Sequence, residues 1–228
     1  MIRLYVKDDL KKDILVELSV FQAHYLCHVM RQKEGAEIYC FNSRDGEWSA
    51  YLKCVKKKAF LNIQKQIKKQ TNLSECILCP ALIKKEAMDF VWQKATELGV
   101  TQIYPIIAER SVVHKFNLDH AMSVVCEACE QCERMDVPQI MPADTLENVI
   151  KKLKDKNSII WMSERGKTSD FDFERVPAFF VGPEGGWTEN EQRILSENAD
   201  CEWHLGQTIL RAETASLSAL AVYQAKKK

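Results

Sequence analysis

The sequence has no apolar run approaching the roughly 20 residues that a bilayer-spanning helix needs. Its opening, Met1-Ile2-Arg3-Leu4-Tyr5-Val6-Lys7-Asp8-Asp9, lacks the apolar core of a signal peptide. A cytoplasmic location with no membrane partner is expected. Net charge is also missing, since 32 Lys and Arg balance 32 Asp and Glu, which argues against a chain that coats a polyanion with its whole surface. Neither the phosphate-loop pattern G-x-x-x-x-G-K-[ST] nor the fingerprint G-x-G-x-x-G occurs, so these two nucleotide-binding devices are excluded.

A metal site finds little support. Among His24, His28, His114, His120 and His204 there is no H-x3-H zinc pairing tied to cysteines. His24 and His28 stand one helical turn apart and read as partner-facing or satisfied surface groups. The nine cysteines, an odd number without a secretion signal, read as reduced thiols in packing roles. Cys126, Cys129 and Cys132 have the spacing of an iron–sulfur run. They fall in a helical pattern with Val124, Val125 and Ala128, however, where a spacing of three repeats one face. The cysteine before proline that would complete the set is absent, Asp136-Val137-Pro138 standing nearby instead. Cys76 and Cys79 would point to opposite faces of a strand. No metal is expected.

What is present is 46% hydrophobic content, ample for one or two cores in 228 residues, and an uneven charge. Residues 1–70 carry 14 Lys and Arg against 8 Asp and Glu, net +6; the remainder carry 18 against 24, net −6. A basic module joined to an acidic one fits a chain in which one part meets a phosphate backbone. Solvated lysines on a small β domain are the plainer alternative.

The basic part reads as β structure. Strands are expected at Ile2–Val6, Ile14–Leu18, Glu37–Phe41, Trp48–Val55 and Ala59–Ile67, with a turn at Asp45-Gly46 and one helix between Ser19 and Arg31. This predicts a small, closed β barrel over residues 1–70. Lys53, Lys56, Lys57, Lys58, Lys65, Lys68 and Lys69 cluster in it. The polar stretch Gln70–Ser74 marks a boundary, and a second domain is expected over 74–228.

Beyond that boundary the period changes. Buried strands at Cys76–Leu82, Val100–Ala108 and Ser158–Met162 alternate with helices at Met88–Leu98, Leu118–Cys132 and Leu146–Leu153. In the first of these helices Phe90, Val91, Ala95 and Leu98 should face inward, with Gly99 as the stop. Alternation of this kind predicts an α/β domain with a parallel sheet.

Two glycine-bearing stretches follow. Ala178–Val181 reads as a buried strand ending at Gly182-Pro183-Glu184-Gly185-Gly186-Trp187-Thr188. Pro183 pushes Gly182 away from helix, and Gly185 and Gly186 are free to take positive φ and leave room for a ligand against the main chain. Thr188 and Glu191 have the spacing of a capping box for a helix through Asn198. Cys201–Leu205 reads as a second strand, ending at Gly206, with a helix from near Thr214 through Leu217, Leu220 and Gln224. Two such loops at the carboxyl ends of parallel strands are where open α/β sheets place ligands. Spacing alone leaves two tight turns between packed elements as an equal reading.

The wording of these stretches goes further. Gly182-Pro183-Glu184-Gly185-Gly186, then Leu205-Gly206 with Ile209-Leu210-Arg211 and Glu213-Thr214-Ala215, resembles the SPOUT-class methyltransferases, in particular the family that methylates N3 of a uridine in small-subunit ribosomal RNA. Lys94–Val100, Glu109-Arg110-Ser111 and Cys129-Glu130-Gln131 match the same family. So do Arg3, His24 and Val29-Met30-Arg31 ahead of Gly35, which resemble its PUA-like RNA-binding domain.

The resemblance implies S-adenosylmethionine as cofactor, a trefoil knot in the second domain, a homodimer, and ribosomal RNA or the small subunit as partner. It implies main-chain cofactor contacts from Gly182, Glu184, Gly185 and Gly186, with Pro183 and Gly206 in the same cofactor site. Leu205, Ile209 and Leu210 would form apolar walls, and Thr214 and Ala215 would complete the site. Arg211 would stabilise charge developing on uracil oxygens, and Glu213 would orient Arg211 or accept a proton. A loop-supporting ion pair is the structural alternative for both. RNA contacts are expected from Arg3, His24, Arg31, Lys56 and Lys57. Arg110 and Arg134 would border the RNA or dimer face, or serve as helix-end or surface charges. Two other functions stay open: a related enzyme for transfer-RNA ribose or another ribosomal base, and a non-catalytic RNA-binding assembly protein.

Overall fold

The structure is a computed structural model that describes residues 2–56, 58–70, 74–164 and 174–226. The chain divides into two compact units, Met1–Asn72 with Cys129–Val137, and Leu73–Ala128 with Pro138–Lys228.

In the first unit β1 (Arg3–Tyr5), β2 (Leu15–Glu17), β3 (Glu37–Asn42), β4 (Gly46–Val55) and β5 (Lys58–Lys68) form one sheet in the order β1-β3-β4-β5-β2. All neighbours are antiparallel except β1 and β3. The β3–β4 turn forms where expected. Asn42 Oδ1 accepts the N–H groups of Arg44 and Asp45 at 3.0 and 2.7 Å, and Gly46 takes φ 74°. The expected closure differs in kind. The ladder ends at β1 and β2, whose Leu4 and Val16 share one core with Ile38, Ala50, Leu52, Leu61 and Ile63, so side-chain packing rather than a ladder joins the edges. The predicted helix is α1 (Val20–His24), continued as a π turn over Tyr25–Val29.

Arg3 requires a correction. Expected to face RNA, it is 7% exposed. Its Nε donates to the Glu47 carboxylate at 2.5 Å, its Nη1 to the carbonyls of Cys129 and Glu130 at 2.8 and 3.2 Å, and its Nη2 to that of Arg134 at 3.4 Å. Its guanidinium also lies 4.4 Å from the centre of the Phe41 ring. Cys129 and Glu130 belong to the last turn of α3 (Leu118–Gln131), where carbonyls lack intrahelical partners. Arg3 therefore caps a helix end distant in sequence, and helps to hold Cys129–Val137 in the first unit. Arg134, considered for the RNA or dimer face, is likewise buried, 2.6 Å from Asp136.

The second unit is built on a six-stranded, fully parallel sheet of order β13-β11-β12-β6-β7-β9. Its strands are β6 (Ile77–Pro80), β7 (Gln102–Ile103), β9 (Gln139–Ile140), β11 (Asn157–Ser163), β12 (Val176–Val181) and β13 (Cys201–His204). A small parallel pair joins β8 (Ile106–Ile107) to β10 (Asp144–Thr145). The single strand expected over Val100–Ala108 is thus two, in two sheets, parted at Tyr104-Pro105 because proline has no N–H for a central ladder.

The remaining helices are α2 (Lys85–Glu97), α4 (Leu146–Leu153), α5 (Glu189–Asn198) and α6 (Ala212–Lys226). Helix α2 buries Met88, Val91, Trp92 and Ala95, one i, i+3, i+4, i+7 face. Phe90, expected inward, lies off that face and is 46% exposed. In the core Phe179 packs against Trp203 and Tyr223, whereas Phe180 joins Ile77, Ile159 and Leu195.

Candidate active site

Strand β12 lies between β11 and β6, although β6 precedes both by most of the domain. Strand order therefore reverses beside β12, and the crevice at the carboxyl ends of these strands is where such sheets bind ligands. A cleft of 1140 Å³ opens there.

The first glycine loop leaves β12 at Val181 and re-enters helix at Thr188. Thr188 Oγ1 accepts from the Glu191 N–H at 3.3 Å, and Glu191 Oε2 accepts from the Thr188 N–H at 2.9 Å, which is the capping box expected from sequence. Glu191 is 4% exposed, and its other oxygen accepts the Glu109 N–H at 3.0 Å. Arg110 Nη1 donates to the carbonyls of Gly185 and Trp187 at 3.2 and 3.5 Å, while Gln192 Nε2 donates to that of Trp187 at 2.9 Å. Gly186 takes φ 66°, as expected, and its N–H closes a turn onto Pro183 at 2.9 Å. Gly185 is glycine for a different reason from the expected positive φ. A Cβ there would stand 3.3 Å from that of Arg110.

The second loop leaves β13 at His204 and enters α6 at Ala212, two residues before the expected start. Gly206 takes φ 136°, with nothing near the place of its missing Cβ. Residues 206–209 are exposed, Ile209 to 63%.

Ten expected residues line the cleft: Gly182, Pro183, Glu184, Gly185, Gly186, Ile209, Leu210, Arg211, Glu213 and Ala215. Leu205 lines a smaller adjoining cavity, together with Met162, Ser163 and Thr208. Gly206 and Thr214 line neither. Sequence reasoning missed Lys84 at the start of α2, Trp161, Met162 and Glu164 in and just after β11, and Glu202 in β13, all of which line the cleft. Lys84 and Glu164 sit just beyond the carboxyl ends of β6 and β11, and that position was the available signal.

Arg211 and Glu213 do not form a buried ion pair. Arg211 is 85% exposed in its side chain, Glu213 18%, and their nearest charged atoms are 4.0 Å apart. The guanidinium is open to a ligand, and Glu213 stands half-buried in the first turn of α6. Of the expected RNA contacts, His24, Arg31 and Lys56 are exposed on the first unit, Arg3 is buried, and Lys57 lies outside the described residues.

A parallel α/β unit with two glycine loops around one cleft, in a chain that also carries a basic five-stranded unit, has the layout of a ligand-binding enzyme domain joined to a module suited to a polyanion. Residues 69–224 match the model of the RNA methyltransferase domain, and residues 22–63 that of the RNA methyltransferase PUA domain. The chain belongs to this family, in the branch of ribosomal RNA small subunit methyltransferase E. The Rickettsia conorii protein of that name is 32% identical over 96% of this chain and 93% of its own length; that of Bacillus subtilis is 29% identical over 88% and 86%. A solved ribosomal RNA small subunit methyltransferase E from Neisseria gonorrhoeae, bound to S-adenosyl methionine, is 31% identical. It superposes with a TM-score of 0.88 over 99% of this chain and 98% of its own. Among the described residues no helix is long and apolar enough to cross a membrane.

Proposed function

We propose that this protein transfers the methyl group of S-adenosylmethionine to N3 of a uridine in small-subunit ribosomal RNA. The observation that carries the reading is the cleft at the reversal of strand order, framed by both glycine loops in a chain of this family. Its size exceeds the roughly 300–1,000 Å³ of ordinary small-molecule sites, which accommodates a cofactor and a base together. The residues fit that cofactor. The main chain of Gly182–Gly186 borders the cleft, Met162, Ile209 and Leu210 offer apolar wall, and Glu164, Glu184 and Glu202 complement a cation. The bound cofactor supplies an electrophilic methyl on a sulfonium.

The chain's own residues prepare the acceptor. Uracil N3 carries a proton and is hidden in pairing, so the base must be presented unpaired. Glu213 accepts the N3 proton or holds Arg211 in place, and Arg211 stabilises the negative charge that spreads onto the flanking carbonyl oxygens. The N3–carbon bond then forms as the carbon–sulfur bond breaks, with alignment supplying most of the rate.

The reading includes a C-terminal chain threaded as a trefoil knot, a homodimer and a cytoplasmic location. Supporting the knot is the likeness of nearly the whole chain to its solved relatives. Supporting the dimer are Phe90 and Val222, 46% and 38% exposed on the mutually packed helices α2 and α6. The test is nucleoside mass spectrometry of small-subunit RNA from cells lacking the protein, before and after treatment with the purified enzyme and cofactor. Appearance of 3-methyluridine is expected; its absence, or a methylated ribose instead, overturns the reading.

A further inference from the structure

We infer that the outward face of α1 and its π turn is a stacking platform for unpaired RNA bases, made by Phe21 and the His24–His28 ring pair. The inference rests on the RNA reading above and adds which residues hold the strand and by what contact.

Phe21 is 87% exposed, beside Val20 at 84%, while Leu26 on the opposite side is wholly buried. An aromatic ring left in water forgoes the stabilisation of burial, and a cluster of such groups marks a binding surface. The rings of His24 and His28 stack with centroids 5.0 Å apart and planes 29° apart, both exposed. The helix is fixed at its start. Ser19 and Gln22 form a reciprocal capping box, and Gln22 Nε2 donates to the Tyr5 carbonyl at 2.7 Å.

Cations flank this face. The Leu18 N–H donates to the Ala59 carbonyl at 3.0 Å and Lys58 pairs with Glu17 at 2.6 Å, which places the β4–β5 turn and its exposed Lys56 beside the start of α1. Arg31 follows the π turn, exposed at φ 52°. Aromatic rings bordered by basic groups suit a nucleic-acid strand better than an apolar peptide. Duplex RNA hides its base faces, so the fitting partner is single-stranded.

Anisotropy of labelled oligonucleotides from small-subunit RNA, single-stranded and annealed to their complements, tests this. Single strands should bind more tightly than duplexes. Phe21→Ala should weaken single-strand binding at least about 5-fold without changing the slope of log K against log salt. Phe21→Trp should restore it, whereas Lys56→Ala should lower the slope by about 0.7. Unchanged binding by Phe21→Ala overturns the inference. A Phe21→Ala protein whose sedimenting mass falls overturns it too, in favour of contact between copies. S-adenosylmethionine titration separates the two readings: wild type that takes up cofactor and RNA but ignores Phe21 defeats only this inference, and wild type that binds no ribosomal RNA defeats both.

Discussion

The loops after β12 and after β13 border one cleft, yet they are held in opposite ways. The first is braced from outside itself. The buried Glu191 carboxylate joins the start of α5 to the Glu109 backbone, and Arg110 holds the carbonyls of Gly185 and Trp187. In the second, Gly206–Ile209 are exposed and have no such bracing among the described residues. One wall is built before a ligand arrives and the other is left adaptable. A cleft made this way has a fixed wall on one side and an exposed, unbraced edge on the other.

Breaking the brace should have the largest effect. Glu191→Ala leaves the Glu109 and Thr188 N–H groups without their acceptor, and should cost about 3 kcal/mol in urea unfolding with at least a tenfold loss of cofactor affinity. Glu191→Gln keeps an acceptor oxygen and should recover part of both. Next, Arg110→Ala should cost about 1 kcal/mol, and Gly185→Ala a similar amount by crowding the Arg110 side chain. Because the two residues touch, their combination should cost less than the sum, which a double-mutant cycle reads.

On the other side of the comparison, Ile209→Ala should leave stability within about 0.5 kcal/mol while weakening cofactor binding severalfold in calorimetry. A stability loss above that range would mean that the second loop is packed rather than open.

The smallest effect concerns a control away from both loops. The Asp144 carboxyl, bonded to Lys152, Asn148 and the Thr145 N–H, is lowered from the usual 3.8 to about 2. Its folded value lies below its unfolded one, so its stabilisation is present above pH 3.8 and lost as pH falls to about 2. Partial solvent exposure limits this to below about 1 kcal/mol. Asp144→Asn should flatten acid unfolding in that window and leave cofactor affinity at neutral pH unchanged.

What could be read from the sequence follows the same divide. The strand, glycine turn and capped helix around Gly182–Asn198 were legible because a capping box and a short apolar run are local patterns. The third bond of Glu191, to a residue 82 positions away, is set by topology and has no local mark. Gly185 shows this on a smaller scale: its glycine was read as conformational freedom and room for a ligand, and what stands against the place of its missing Cβ is the side chain of Arg110. Arg3 was misplaced for a related reason, since an arginine that caps a distant helix looks in sequence like one that waits for phosphate. Trp161 and Glu202 were missed because strand order, which brings β11 and β13 to the cleft, is not written in any one segment.

Hydrogen exchange followed amide by amide, with and without S-adenosylmethionine, tests most directly that one loop is prebuilt and both receive the cofactor. In the free protein Glu109, Gly186 and Thr188 should be protected and the amides of 206–209 should exchange rapidly; added cofactor should slow 206–209 and change the first set little. Equal protection of both loops in the free protein, or no response of 206–209 to the cofactor, would contradict the account.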